Sequence, residues 1–316
     1  MTFFGRPIPA WTVRLAQAII AASLPAVLWR AFDGPEAARS LLSADISWLA
    51  AAFLALTAQT VLSAMRWRLT AAQFGIALAR GHALREYYLA QVVNQALPGG
   101  MVGDAGRAVR ARDQAGLLAS GQAVAFERLA GQIAMFLALT GGFFVTFAAP
   151  GGFEWPPTLA APVALLILVG TALPLVLYGA RHLPGAAGRS ATVIWNAIHK
   201  ALTAPTVLPG QVVLSAGTAA CTLGAFAFCA EAVGVDLNLA AIFGLVPLIL
   251  FTMLIPITIS GWGLREGAAA ALFPLAGATP SAGLATSIAF GLVFLATVLP
   301  GLFFMRANST DRTLKP

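Results

Sequence analysis

Six stretches of this chain each hold about 20 mostly apolar residues in a row, the length a helix needs to cross a hydrocarbon core. They cover approximately 11–31, 47–65, 122–148, 159–180, 207–233 and 282–305. Within a bilayer every backbone N–H and C=O must be satisfied inside the protein, which leaves helices as the spanning element for runs of this length. The expected fold class is therefore all-α, a polytopic membrane bundle with about six full spans. Composition agrees, since 59% of the residues are hydrophobic and 10% are charged, against roughly a quarter charged in a soluble domain. The intervals between the runs are too short for a soluble domain, so residues 1–316 read as a single integral membrane domain.

The formal charge of +7 raises the question of nucleic acid, and the placement of the cations answers it. They flank the apolar runs, as the positive-inside rule requires, so no nucleic-acid partner is expected. Cys221 and Cys229 share one apolar run and read as small buried residues, not as a disulfide or metal site. Arg6 and Arg14 before the first run resemble a signal-peptide start, but the segment reads as an uncleaved first span. No cofactor is expected.

Two further apolar stretches do not make simple crossings. Residues 83–97 supply 15 residues, about 22 Å of helix, and end in the helix-breaking run LPGGMVGD at 97–104. Residues 240–255 end in IPITISGWGLREG at 255–267, followed by a short apolar piece up to Leu275. Both are expected to be re-entrant helical hairpins. With each hairpin returning to its own side, all but Arg30, Arg39 and Arg265 of the 19 lysines and arginines face the cytoplasm. Both termini are then cytoplasmic, in a bacterial inner membrane.

Aligning the two breaks brings Pro98, Gly103 and Arg107 onto Pro256, Gly261 and Arg265. Repeat-like halves of about 47–148 and 207–305 result. Because the hairpins enter from opposite sides, the repeat is inverted, an arrangement that secondary transporters use to build a site near the bilayer midplane.

Charged residues within such segments are expensive and generally pair or face a watery cavity. The first group here is Asn94, Asp104 and Arg107, with Glu86, Tyr87 and Tyr88 upstream and Glu127 with Arg128 in the next span. The second is Arg265 with Glu266, introduced by Gly261, Trp262 and Gly263. One reading makes Asp104–Arg107 and Glu127–Arg107 or Glu127–Arg128 internal ion pairs that lock the hairpins to the bundle. The other starts from the glycine-rich breaks, which stop a helix, restart it and expose free N–H groups suited to an anion. Arg66, Arg68, Arg80, Arg85, Arg110 and Arg112 read as interfacial, touching anionic lipid or only fixing topology. No HExxH, CxxC, P-loop or GxSxG pattern occurs, so an enzyme is not expected.

The segments RWRLTAAQFGIAL (66–78), YYLAQVVNQALPGGMVGDAGRAVR (87–110), FERLAG (126–131) and IPITISGWGLREGAAAALF (255–273) resemble the flippase-like transmembrane region of lysylphosphatidylglycerol synthases and their stand-alone relatives. That pattern has an Asn before a Pro-Gly turn, then Gly-Gly-Asp and Arg, Glu-Arg in the next helix, and a late Gly-x-Gly-x-Arg-Glu. The resemblance marks Asn94, Pro98, Gly103, Asp104, Arg107, Glu127, Arg128, Gly261, Gly263, Arg265 and Glu266; Val102 departs from it, standing where the first glycine of Gly-Gly-Asp is usual. What it implies is the translocation part of such synthases without their soluble aminoacyl-transfer domain.

The expected function is a flippase or transporter that moves a polar or anionic lipid headgroup (phospholipid, hopanoid or polyprenyl-linked). Its binding residues are Asn94, Gly103, Asp104, Arg107, Glu127, Arg128, Gly261, Gly263, Arg265 and Glu266. Arg107 and Arg265 are expected to hold the anion, and the hairpin tips near Gly103 and Gly261 to meet around one polar cavity. The alternatives are a non-transporting accessory subunit of a lipid-modifying system and a membrane-embedded lipid transferase. The expected partners are the lipid itself and either a second copy of the chain or a lipid-synthesis enzyme, a small-residue face at Ala138, Gly141 and Gly142 serving a dimer or internal packing.

Overall fold

The structure, a computed structural model, describes residues 2–3, 6–7, 26–97, 100–148, 155–255, 258 and 260–304. A two-residue ladder pairs β1 (Thr2–Phe3) with β2 (Arg6–Pro7), and the remaining regular structure is helical. The expected first span at 11–31 lies outside the described residues except for its end, 26–31, which is helical. The α-helices that follow are α1 (Gly34–Leu42), α2 (Ile46–Ala72), α3 (Arg80–Ala96), α4 (Val102–Arg110), α5 (Arg112–Ala148) and α6 (Pro157–Ala180). Then come α7 (Gly185–Ile198), α8 (Leu208–Ala232), α9 (Leu239–Phe251), α10 (Leu264–Leu272) and α11 (Pro280–Val298).

Among the described residues five helices are long and apolar enough to cross a membrane: Ile46–Gln73, Arg112–Thr146, Pro157–Ala180, Leu208–Ala232 and Pro280–Phe304. Two of them start on a side-chain cap. Asp45 accepts from the Ser47 N–H at 2.7 Å before α2, and Thr279 accepts from the Ala282 N–H at 3.2 Å before α11. Each side-chain oxygen satisfies a backbone donor that has no partner within its helix.

Several boundaries differ from the sequence reading. The charges at 66 and 68 place the end of a span at 65, yet α2 continues to Ala72 with Arg66, Trp67 and Thr70 buried. The interval between the first two expected spans contains α1, capped by Asp33 and packed through Ala37 against Ala270, Leu284 and Ala285. The interval between the expected spans at 159–180 and 207–233 contains α7 and a π turn, His199–Thr203. α5 begins ten residues before the expected 122, bending at Gly116 (φ 84°).

Two interruptions organise the bundle. α3 has 17 residues and α9 has 13, about 26 and 20 Å of helix, short of the roughly 30 Å core. α4 packs back on α3 after the first break; α10 packs on α9 and α11 after a 3-10 turn (Thr252–Leu254) and the second break. Pro98, Gly99, Pro256, Ile257 and Ile259 lie outside the described residues, and the Pro98–Pro256 match with them. The order span, helix, break, short helix, span occurs twice, in α2–α5 and in α8–α11.

α2 lies along α8, and α5 along α9. A core of Phe226, Leu245, Ile249, Phe273 and Phe290 ties α8 and α9 to the end of α10 and to α11. Lipid tails are as apolar as such a core, so close packing and internal hydrogen bonds, not water exclusion, hold membrane helices together. Gly142 shows how close: a Cβ there would lie 2.6 Å from the Phe243 carbonyl carbon. The face at Ala138 and Gly142 therefore packs internally, joining α5 to α9, whereas a Cβ at Gly141 would meet nothing within 4 Å. Both cysteines are free thiols.

Candidate functional site

At the first break, ionic groups from three helices converge. Glu127 on α5 is wholly buried and accepts from Arg66 on α2 (Nη2–Oε1, 2.8 Å) and from Arg107 on α4 (Nη2–Oε2, 2.7 Å). Arg107 also pairs with Asp104 (Nε–Oδ1, 2.9 Å), and its guanidinium lies between the rings of Trp67 and Tyr87, 4.8 and 4.6 Å from their centres. Arg66 donates further to Thr218 at 2.8 Å, which ties the cluster to α8. Arg128 pairs with Asp104 and donates to the Gly100 carbonyl at 2.9 Å. Buried pairs are costly to desolvate and very costly to orphan, so this network holds α2, α4 and α5 in one arrangement.

The sequence reading expects the restarted helices to present free N–H groups to an anion, and the structure corrects this. The Gly103 N–H donates to Asn94 Oδ1 at 2.7 Å, and Asn94 Nδ2 donates to Asp104 Oδ2 at 2.9 Å. The Gly263 N–H donates to Glu266 Oε2 at 2.5 Å. In each hairpin a side chain of the protein already fills the place where an anion would sit at a helix N-terminus. Gly103 is needed for proximity, because a Cβ there would collide with the Ala90 carbonyl of α3. Gly263 is needed for its backbone, with φ 89°.

The second hairpin closes on itself. Arg265 donates to Glu266 Oε1 at 2.5 Å, to Ser287 Oγ at 2.9 Å and to the Ser287 carbonyl at 3.0 Å. Its guanidinium lies 5.3 Å from the ring centres of both Trp262 and Phe290. One cation and one carboxylate balance here, and both are buried.

Beside the first cluster lies a cavity of about 300 Å³. Its charged end is formed by Arg66, Asp104, Glu127 and Arg128, and the amides of Gln59, Gln91, Gln95 and Gln132 continue it. Met135, Leu250, Leu254, Phe290 and Phe294 add an apolar lining. Along α5 the lining changes from Glu127 and Arg128 through Gln132 to Met135, about 12 Å at 1.5 Å per residue. The break of the second hairpin reaches the cavity through Met253 and Ser260, whose φ of 51° is unusual outside glycine.

The expected residues are therefore divided. Asn94, Asp104, Glu127 and Arg128 line the cavity; Gly103, Arg107, Gly261, Gly263, Arg265 and Glu266 do not. Arg107 is enclosed by carboxylates and rings, and Arg265 turns toward α11. Arg66, read from sequence as interfacial, is instead buried and central. The glutamines of α2, α3 and α5 were missed. Gln91 and Gln95, one helical turn apart and flanking Asn94, were the available signal.

Residues 14–301 match the model of the lysylphosphatidylglycerol synthase TM region. The chain belongs to this family of membrane proteins. A search of curated proteins gives no match.

Proposed function

We propose that the protein carries a polar lipid headgroup across the membrane through the cavity between its two hairpins. The observation that carries this reading is the cavity lining: charged and amide side chains together with apolar ones, passing from Glu127 to Met135 along α5, and a contribution from both breaks. An amphiphile needs such a surface, its headgroup replacing water with side-chain hydrogen bonds while its chains remain against apolar groups. In this reading Arg128, with its side chain 35% exposed, meets the headgroup anion, and Arg107 positions Asp104 and Glu127. The second hairpin, closed on itself, acts as the opposing wall.

The span–hairpin–span order supports taking 47–148 and 207–305 as two repeats of opposite orientation, each hairpin re-entering from its own side. The arginine distribution supports an inner-membrane protein with both termini cytoplasmic. A carrier is favoured over an enzyme because Asp104 and Glu127 are each held by two guanidinium groups, so neither carboxylate is free to move a proton.

Purified protein in liposomes with headgroup-labelled lipid, bleached from outside by a membrane-impermeant reductant, tests the reading. Loss of the protected inner-leaflet fraction is expected. Protein that binds lipid but leaves that fraction intact would instead be an accessory subunit or transferase. In a background lacking Cys221 and Cys229, impermeant thiol reagents should label a cysteine at position 43 and spare one at 190; the reverse pattern overturns the orientation.

A further inference from the structure

We infer that the headgroup taken by this cavity is hydroxyl-rich and carries a single negative charge, as a polyol or sugar phosphodiester does, and that cationic headgroups are excluded. This rests on the reading that the cavity holds the lipid headgroup, and it names the class of headgroup.

The charge follows from the ion cluster. Among the described residues Arg66, Arg107 and Arg128 share two carboxylates, Asp104 and Glu127, so one guanidinium charge is left over. An unbalanced charge at membrane depth is expensive, and a ligand charge is one way to balance it. Arg66 and Arg107 are buried, whereas Arg128 is partly open and lines the cavity. One phosphodiester neutralises the set. An ammonium group would add a second surplus positive charge and would find both carboxylates already engaged.

The hydroxyls follow from the amides. Gln95, Gln132 and Ser260 line the cavity, and their side chains make no hydrogen bond to another described residue. Gln91 exchanges bonds of 3.2 and 3.4 Å only with Thr60. A primary amide presents a donor and an acceptor side by side, and a hydroxyl both donates and accepts, so the two match. A bare phosphodiester brings acceptors alone and would leave amide carbonyls unpaired once water is displaced.

Native mass spectrometry of the purified protein, titrated with lipids of identical acyl chains, tests this. The series is phosphatidylinositol, phosphatidylglycerol, phosphatidylmethanol, glucosyl-diacylglycerol and lysylphosphatidylglycerol. The first two are expected to bind about tenfold tighter than phosphatidylmethanol, the equivalent of one net hydrogen bond or slightly more. They should also bind tighter than the neutral glucosyl lipid and the cationic lysyl lipid.

Equal binding of phosphatidylmethanol would overturn the hydroxyl requirement, and equal binding of the lysyl lipid would overturn the charge rule. Gln91→Leu with Gln132→Leu should erase the preference for phosphatidylinositol over phosphatidylmethanol. A preference that survives removes these amides from the site. Should the double variant fail to fold, the lipid series on the unaltered chain still decides.

A glycosyl-phosphoryl polyprenol run beside phosphatidylinositol distinguishes an isoprenoid tail from a glycerolipid tail. Tighter binding of either supports the headgroup class, and binding of neither refutes it. Selective binding without headgroup movement in liposomes would defeat the transport reading alone; movement without selectivity would defeat this inference alone.

Discussion

In the first hairpin Arg107 shares Glu127 with Arg66 and Asp104 with Arg128, whereas in the second Arg265 has Glu266 and the main chain of Ser287. Both begin from the same device, an arginine placed in a short helix restarted after a glycine-rich break. One ends in a network that joins several helices, carries surplus charge and opens on a cavity. The other ends in a neutral pair within its own hairpin and α11. A repeated motif thus need not mean a repeated role, because a buried arginine takes its function from the partners that the surrounding helices supply.

The sharpest way to break this comparison is at Glu127. Glu127→Ala takes from Arg66 its carboxylate and from Arg107 one of its two, and removal of one partner from a buried pair costs about 3–5 kcal/mol. We expect the detergent-solubilised variant to unfold at far lower temperature than the parent, or to fail to accumulate. A wild-type melting temperature would show that the network does not hold the helices.

A smaller effect is expected at the glycines. Gly103→Ala places a methyl group against the Ala90 carbonyl, whereas Gly141→Ala meets nothing within 4 Å. Overpacking of this kind costs about 1–3 kcal/mol, so thermal unfolding should separate the two variants. Equal melting temperatures would mean that α3 and α4 do not approach as closely as described.

The smallest stability change, with the most specific functional one, is expected at Arg128. Its partly exposed side chain makes the loss about 1 kcal/mol or less for Arg128→Gln, yet headgroup movement in liposomes should fall markedly. Arg112→Gln serves as the reference, since Arg112 is 58% exposed and its ion pair among the described residues is a long one with Asp113, at 3.7 Å. Unchanged transport by folded Arg128→Gln would remove this residue from the site and leave the two hairpins functionally alike.

Much of the helical plan was legible in the sequence, because apolar length and glycine-rich breaks act locally. The runs at 159–180 and 207–233 agree with α6 and α8 to within a few residues, and the breaks after Ala96 and before Leu264 fall in the glycine-rich segments. Arg66 was misplaced for an equally clear reason. A charged side chain in an apolar run reads as its end unless the neutralising carboxylate is known, and Glu127 lies 61 residues away.

By itself the sequence determined the helical class, the two interruptions and the set of charged residues that had to find partners in an apolar setting. Those follow from segment length, backbone satisfaction and the cost of charge in hydrocarbon. The tertiary structure decided the pairings. It brought Arg66 to Glu127, gave the two helix N-termini to Asn94 and Glu266, turned Arg265 away from the cavity and placed Gln91 and Gln132 within it. An ion pair forms over a few ångströms, and local patterns do not specify which residues distant in the chain will come that close.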